Sequence, residues 1–424
     1  MKKKRWTIVL LLLFLGAATG LSLAACDQEA TGRGMNIPEP DREIMEAFDA
    51  ALANASNEFG LALFKKLVND EENVFISPTS IYTALAMTYN GARGDTLAAM
   101  AEVLGVGGVE LNRFNENNLA RLYQLQEADS EVILNIANSL WMREGVEFNP
   151  HFVERNADYY DASVRELDFS TREAVDTING WVDSRTNGLI EEIVEYPIDP
   201  DSILFLINAV YFLGKWSEPF DPDLTQEKIF YGPEGEIEDV PFMRGSDNYA
   251  YLEKEGEFQA VRLPYGETER LAMYVFLPHG QQPLSQFVVG LDGDKWNEWR
   301  GQFETMQGNL FLPRFSMEYE NTLNEVLKAM GMEIAFDEGR ADFYDMVVRD
   351  AGDRLFISEV KHKSFIEVDE KGTEAAAATS VEIMPTSAPL DPFHMDVNRP
   401  FFFLIHDRET NEILFAGTVI DPTQ

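Results

Sequence analysis

The run Ile203–Leu213 constrains the fold most tightly: of its eleven consecutive residues only Asn208 is neither aliphatic nor aromatic. An alternating strand hides one face, whereas an unbroken apolar run of this kind is the pattern of a strand buried on both. The chain must therefore build a sheet that is covered on each side. It must also satisfy the Asn208 amide there, since a buried polar group without a partner costs about 1–3 kcal/mol. His362 poses the same problem between the strand-like runs Phe356–Val360 and Phe365–Val368. Each of the two reads either as a satisfied core polar group or as a polar latch beneath a sheet that opens.

Other segments have clear periods. Val132, Leu134, Ile136, Asn138 and Leu140 alternate as in a strand, and Phe356–Val360, Phe365–Val368, Phe401–His406 and Ile413–Val419 supply more strands. Phe48, Leu52, Phe59, Leu63 and Leu67 recur at helical spacing. Ser77-Pro78 opens a helix with Ile81, Leu85 and Tyr89 on one face and Asn90-Gly91 as its stop. Ser170 to Glu173 reads as a capping box for a helix through Ile178, Trp181 and Val182 that stops near Gly188. Helices dominate the first half and strands the last third, an α+β pattern rather than regular βαβ alternation. Length alone, 424 residues at roughly 150 per domain, would allow two or three domains. No linker, repeat or low-complexity run interrupts the chain between Asp41 and residue 372, so one domain is expected over 42–424.

The N-terminus carries Lys2, Lys3, Lys4 and Arg5, then no charge until Asp27. A basic n-region followed by an apolar h-region is a signal-peptide pattern, expected over residues 1–25. About 20 apolar residues could also span a bilayer uncleaved. Leu23-Ala24-Ala25-Cys26 resembles the lipobox of bacterial lipoproteins, which implies lipidation of Cys26, the one cysteine of the chain. Residues 26–41 have the composition of a flexible tether, so the expected location is the extracytoplasmic side of a membrane.

Charge excludes other roles. Seventy-three acids against 34 bases give a net charge of −39, and removal of residues 1–25 would leave 30 bases. Such a surface repels phosphate backbones, so nucleic acid is excluded as a partner and heparin is disfavoured. A single cysteine forbids an intrachain disulfide. There is no GxSxG, HExxH, P-loop or GxGxxG motif. His151, His279, His362, His394 and His406 lack metal-ligand spacing, and Asp292-Gly-Asp294 lacks the other ligands of a calcium loop. No metal, no cofactor and no enzymatic turnover are expected.

The segment 370–398 decides among the remaining roles. Four alanines, Ala375 to Ala378, follow Gly372, Thr373 and Glu374, and by propensity alone they favour a helix. Pro385, Pro389 and Pro392 argue instead for a long loop, either a binding loop or a surface insertion. Val368–Thr379 closely resembles the hinge of the serpins, the serine-protease-inhibitor superfamily. Asn398–Ile405 and Ile413–Pro422 resemble the segments that follow the reactive loop in that family. Asn73–Pro78, Asn208–Trp216, Leu310–Phe315 and Gly339–Phe343 extend the likeness over about residues 45–422.

The resemblance implies one domain of three β-sheets and about nine α-helices, with an exposed reactive-centre loop at about 370–397. It implies a single-use trap for a protease. The loop is cleaved, an acyl-enzyme forms, and the hinge enters the central sheet as a new strand. The hinge would comprise Glu370, Gly372, Thr373, Glu374, Ala375, Ala376, Ala377, Ala378 and Thr379. Thr373, Ala375, Ala377 and Thr379 alternate onto one face and are small and uncharged, as burial between strands requires. Ser77, Ser80, Asn208 and His362 match the family's shutter beneath that sheet, and Trp216 the tryptophan where insertion begins. Counting from Gly372 places the scissile bond at Thr386-Ser387, with Leu390 and Phe393 as weaker candidates. Residues 372–398 hold no Lys or Arg, which favours an elastase- or subtilisin-like serine protease, or a cysteine protease, over a trypsin-like one. The expected oligomeric state is a monomer. A non-inhibitory binding or chaperone-like serpin is the alternative.

Overall fold

The structure, a computed structural model, describes residues 36–199, 202–280, 282–348, 355–373 and 392–424. In chain order the first half runs α1 (Arg42–Glu46), α2 (Ala50–Leu67), β1 (Val74–Ile76), α3 (Pro78–Tyr89), α4 (Gly94–Val103), α5 (Leu111–Gln126), β2 (Val132–Arg143), α6 (Pro150–Tyr160), β3 (Ser163–Leu167), α7 (Arg172–Arg185) and β4 (Leu204–Lys215). Then follow β5 (Gln226–Gly232), β6 (Gly235–Lys254), β7 (Phe258–Pro264), β8 (Leu271–Pro278), α8 (Leu284–Val289), α9 (Gly293–Arg300), β9 (Glu304–Pro313), β10 (Phe315–Thr322), α10 (Asn324–Leu327), β11 (Glu359–Asp369), β12 (Gly372–Thr373), β13 (Phe393–Asp396), β14 (Phe401–Asp407) and β15 (Glu412–Val419).

The apolar run becomes β4, inside a six-stranded sheet ordered β10-β11-β12-β4-β2-β3. Its side chains alternate between two cores. Phe205, Ile207 and Ala209 pack with Trp141, Ile178 and Val182 of β2 and α7. Leu204, Leu206, Val210 and Phe212 enter the main core on the opposite face. Burying each large apolar side chain stabilises the fold by about 1.5–3 kcal/mol, so both faces of this strand are anchored.

The second network is nine-stranded, ordered β1-β15-β14-β8-β7-β6-β9-β13 with β5 also on β6. The twenty-residue β6 belongs to two strand groups. Its first part pairs with β5 and its last with β7, while β9 follows it from Phe242 to Tyr251. The set β13-β9-β6-β5 is thus a third strand group, and the α+β architecture with three sheets agrees with the expectation.

Several local expectations are corrected. Thr171, not Ser170, caps α7, accepting from the Ala174 amide. The Asp168 carboxylate captures both the amide and the hydroxyl of Ser170 and so holds it in the preceding turn. The helix ends at Arg185, short of Gly188. The two strands expected at Phe356–Val360 and Phe365–Val368 are one strand, β11, with His362 inside it. Leu355–Ser358 precede it, tied by Ile357 N to Ala335 O and Ser358 N to Leu204 O. The described end of the expected tether is docked: Ile37 is buried and exchanges two hydrogen bonds with the Gln126 amide of α5.

Candidate functional site

Two clusters lie along the seam between β4 and β11. Over most of its length the seam is closed: the strands pair in parallel from Glu359/Phe205 to Phe365/Tyr211. Beyond that point they separate, and Gly372–Thr373 stands between them. Thr373 pairs with Val368 on one side and Gly214 on the other, antiparallel to both.

The chain reaches this slot through a turn. The Asp369 carboxylate accepts from the amides of Lys371 (2.8 Å) and Gly372 (3.2 Å). Gly372 has φ +147°, and a Cβ there would lie 2.1 Å from the Gly214 carbonyl oxygen, so only glycine fits. Trp216 holds the turn from above. Its indole donates to Asp369 O at 2.9 Å and its amide to Lys371 O at 2.9 Å. The indole stacks on Tyr265 at 4.4 Å, and the Tyr265 hydroxyl lies 2.9 Å from Thr373 Oγ1. Thr373 is fully buried.

Glu370 closes the same end. Its carboxylate accepts from Arg314 Nε (2.8 Å) and Nη2 (2.5 Å) and from the Thr225 hydroxyl. Burial pushes this carboxyl up, but the bonds from Arg314 and Thr225 and the guanidinium charge outweigh it, so its pKa lies below the usual carboxylate range. A depressed folded pKa adds stability at pH values above the unfolded one, about 4.3, and loses it as pH falls through the folded value. Glu370→Gln is therefore expected to cost about 1–2 kcal/mol at pH 7, the half-exposed Arg314 keeping the effect small. In urea titrations the gap between wild type and variant should narrow as pH falls below about 4.3, the unfolded value; a gap independent of pH refutes the assignment.

The second cluster lies within the closed part of the seam. The register aligns Asn138 of β2, Asn208 of β4 and His362 of β11 in one row. Asn208 Nδ2 donates to Asn138 Oδ1 (2.6 Å) and to Ser80 Oγ (2.5 Å), and Asn208 Oδ1 accepts from His362 Nδ1 at 2.5 Å. His362 Nε2 accepts from the Ser77 amide at 3.4 Å. Ser77 caps α3, with Pro78 at its first position, and donates its hydroxyl to Leu414 O of β15. The cluster thus fastens three strands to a helix and to the second sheet. Burial lowers the His362 pKa to about 3, so the ring is neutral and can accept at Nε2 while donating at Nδ1.

The structure thus brings Ser77, Ser80, Asn208 and His362 together, and it gathers Glu370, Gly372, Thr373 and Trp216 at the open end. Glu374, Ala375, Ala376, Ala377, Ala378, Thr379, Thr386, Ser387 and Cys26 lie outside the described residues. Phe393 is corrected as a cleavage candidate: it is buried in β13, stacked on Tyr251 at 4.0 Å. Sequence reasoning did not assign Asn138, Tyr265, Arg314 or Asp369 to the site. Asn138 could have been found as a second amide in an otherwise apolar strand.

The site is thus a seam between β4 and β11 that is paired up to Phe365 and Tyr211 and entered beyond them by Gly372–Thr373. Residues 54–422 match the family model described as Serpin (serine protease inhibitor), and the chain belongs to the serpin family. An uncharacterized serpin-like protein of Thermococcus kodakarensis is 35% identical over 403 residues, covering 89% of this chain and 88% of that protein. Serpin B6 of Macaca fascicularis is 36% identical over 88% of this chain and 99% of its own length. Among solved structures, the thermophilic serpin tengpin in its native state superposes with a TM-score of 0.81 at 33% identity, covering 92% of this chain and 97% of that one. Human thyroxine-binding globulin complexed with its hormone does so at 0.79 and 28% identity, covering 88% and 99%.

Proposed function

We propose that this chain is an irreversible suicide-substrate inhibitor of an extracytoplasmic serine protease of the elastase or subtilisin kind. The observation that carries this reading is the half-open seam, closed by pairing up to Phe365 and Tyr211 and entered beyond them by Gly372–Thr373.

Continuing that register, Ala375 would oppose Ile366 and Phe212, and Thr379 would arrive between His362 and Asn208. Insertion would exchange one parallel ladder for two antiparallel ones. That adds a full set of backbone hydrogen bonds, and antiparallel pairing is the slightly more stable kind. The hinge meets the demands of this path: Thr373, Ala375, Ala377 and Thr379 bring neither charge nor bulk. Cleavage at Thr386-Ser387 frees the strand to enter, and the row Asn138–Asn208–His362 must part to admit it. The acyl-enzyme is then carried along before water can release it.

Residues 1–25 would serve as a lipoprotein signal peptide, Cys26 as the lipidated anchor and the following residues as a tether, which places the inhibitor at a membrane surface. The test uses residues 27–424 with elastase-, subtilisin-, chymotrypsin- and trypsin-like proteases. A boiling-resistant band at the summed mass, with a released peptide starting at Ser387, is the expected result. Clean cleavage without that band for every enzyme overturns the reading in favour of a non-inhibitory binding protein.

A further inference from the structure

The third strand group carries a face on which basic side chains gather around one aromatic ring. Two cross-strand rows define it: Arg244, Phe311 and Asp396, and beside them Ser246, Asn309 and His394. Lys228 of β5 reaches over this face. Its ammonium lies 5.2 Å from the Phe242 ring and 4.1 Å from the Phe311 ring, and bonds Asp396 at 2.5 Å. The Arg244 guanidinium lies 5.8 Å from Phe311, and the His394 ring 5.5 Å. One aromatic ring is thus surrounded by three nitrogen bases.

In these rows the single carboxylate, Asp396, is consumed by Lys228. Arg244 is exposed and makes no ion pair among the described residues. The nearest acids of the same strands, Glu227 and Asp247, alternate onto the other face. Against a chain-wide excess of 73 acids over 34 bases, Lys228 and Arg244 outnumber the one carboxylate of these rows. It also has a particular place. β13 begins at Phe393, six residues beyond Ser387, a span of at most about 20 Å.

We propose that this face, centred on Arg244, Lys228, His394 and Phe311, docks the target protease through carboxylates that border the enzyme's active-site cleft. The proposal rests on the trapping reading for its occupant: an enzyme holding Thr386-Ser387 lies within reach of these side chains. The acids elsewhere do not cancel the attraction at contact. Screening acts over about 8–10 Å at 0.1–0.15 M salt, so the partner feels the nearby cations and little of the distant charge. Complementary charge of this kind raises encounter rates and selects partners. The face thereby adds a specificity that the uncharged loop around Thr386 lacks.

The test separates docking from trapping. Its probe is a subtilisin with alanine in place of the active-site serine, used unmodified and with its surface lysines succinylated to carboxylates. Binding to residues 27–424 is measured at 0.15 M salt for wild type, Arg244→Glu and Lys228→Met. Succinylation is expected to tighten binding by wild type about tenfold, and Arg244→Glu to erase that gain. Arg244→Glu changes the net charge by only two in a total near −40, so an effect of this size must be local. Lys228→Met frees Asp396 and should erase the gain as well. Equal binding of both probe forms by wild type, or a gain that survives Arg244→Glu, overturns the proposal. Failure of every active protease of the panel to form the covalent band, with the docking gain intact, would sink the trapping reading and leave the surface standing.

Discussion

Thr373→Arg is expected to abolish covalent trapping while leaving cleavage at the loop unimpaired. Thr373 is fully buried between Val368 and Gly214, with its hydroxyl against Tyr265. In the proposed insertion it is the first side chain of the inserting face, and each later one would follow the same track. A guanidinium at this point meets the Tyr265 ring, stacked on Trp216, and has no carboxylate partner in the slot. Burying an unpaired charge costs several kcal/mol. A barrier raised by about 3 kcal/mol slows a step by more than 100-fold, enough for hydrolysis of the acyl-enzyme to overtake insertion. The gel should show rapid conversion to the cleaved chain, active protease and no high-mass band. Thr373→Val is the control: it loses the Tyr265 hydrogen bond, worth about 1 kcal/mol, and should still trap. Ala375→Asp, at the next inward position, should behave like Thr373→Arg. A normal covalent band from Thr373→Arg would refute insertion along this seam.

The seam was legible in the sequence to unequal degrees. The uninterrupted run at Ile203–Leu213 announced a strand buried twice over, because that pattern has few other outlets in a chain of mixed helices and strands. Asn208 and His362 stood out for the same reason, polarity where burial was forced, and they lie 2.5 Å apart. Thr373 was equally readable as small and uncharged, and it is fully buried between the two strands. What stayed hidden depends on contacts across the chain. Arg314 follows an apolar strand like many surface cations, and only the fold brings it to Glu370, 56 residues on. Asp369 looked like one acid among 73, yet it shapes the turn that delivers Gly372 to the slot. Local competition misled as well: Ser170 has the right spacing to Glu173 for a cap, but the nearer Asp168 binds it first. Leu355–Ser358 are apolar enough for a strand, but their amides bond Ala335 and Leu204 outside any ladder.

Acidification from pH 7.5 to 5 is expected to destabilise the uncleaved protein by about 4 kcal/mol, through two histidines. Burial lowers both His362 and His406 to a pKa of about 3, with the Arg300 charge adding to the effect on His406. Each titrates near 6.5 in the unfolded chain. Between pH 6.5 and 3 the unfolded state therefore binds more protons, and stability falls as pH falls. At pH 5 each ring contributes a loss of about 2 kcal/mol, by about 1.4 kcal/mol per pH unit below 6.5. Glu370 and Asp407, whose pKa values are depressed, begin to matter only below about pH 4, so this window isolates the histidines. The two rings differ in consequence. His406 is enclosed by Trp296 and Tyr274 and bonds Asn411, away from the seam. His362 bridges β11 to β4, and a proton on Nε2 would face the donating Ser77 amide. Acid should therefore loosen the row that insertion must part. His362→Gln should halve the fall in the denaturation midpoint between pH 7.5 and 5, and His406→Gln should do the same. In His362→Gln alone, acid should no longer speed reaction of the intact chain with a synthetic peptide of the sequence Thr373–Thr386, which competes for the same slot. A midpoint unchanged from pH 7.5 to 5 in the wild-type chain would refute the neutral, buried state of both rings.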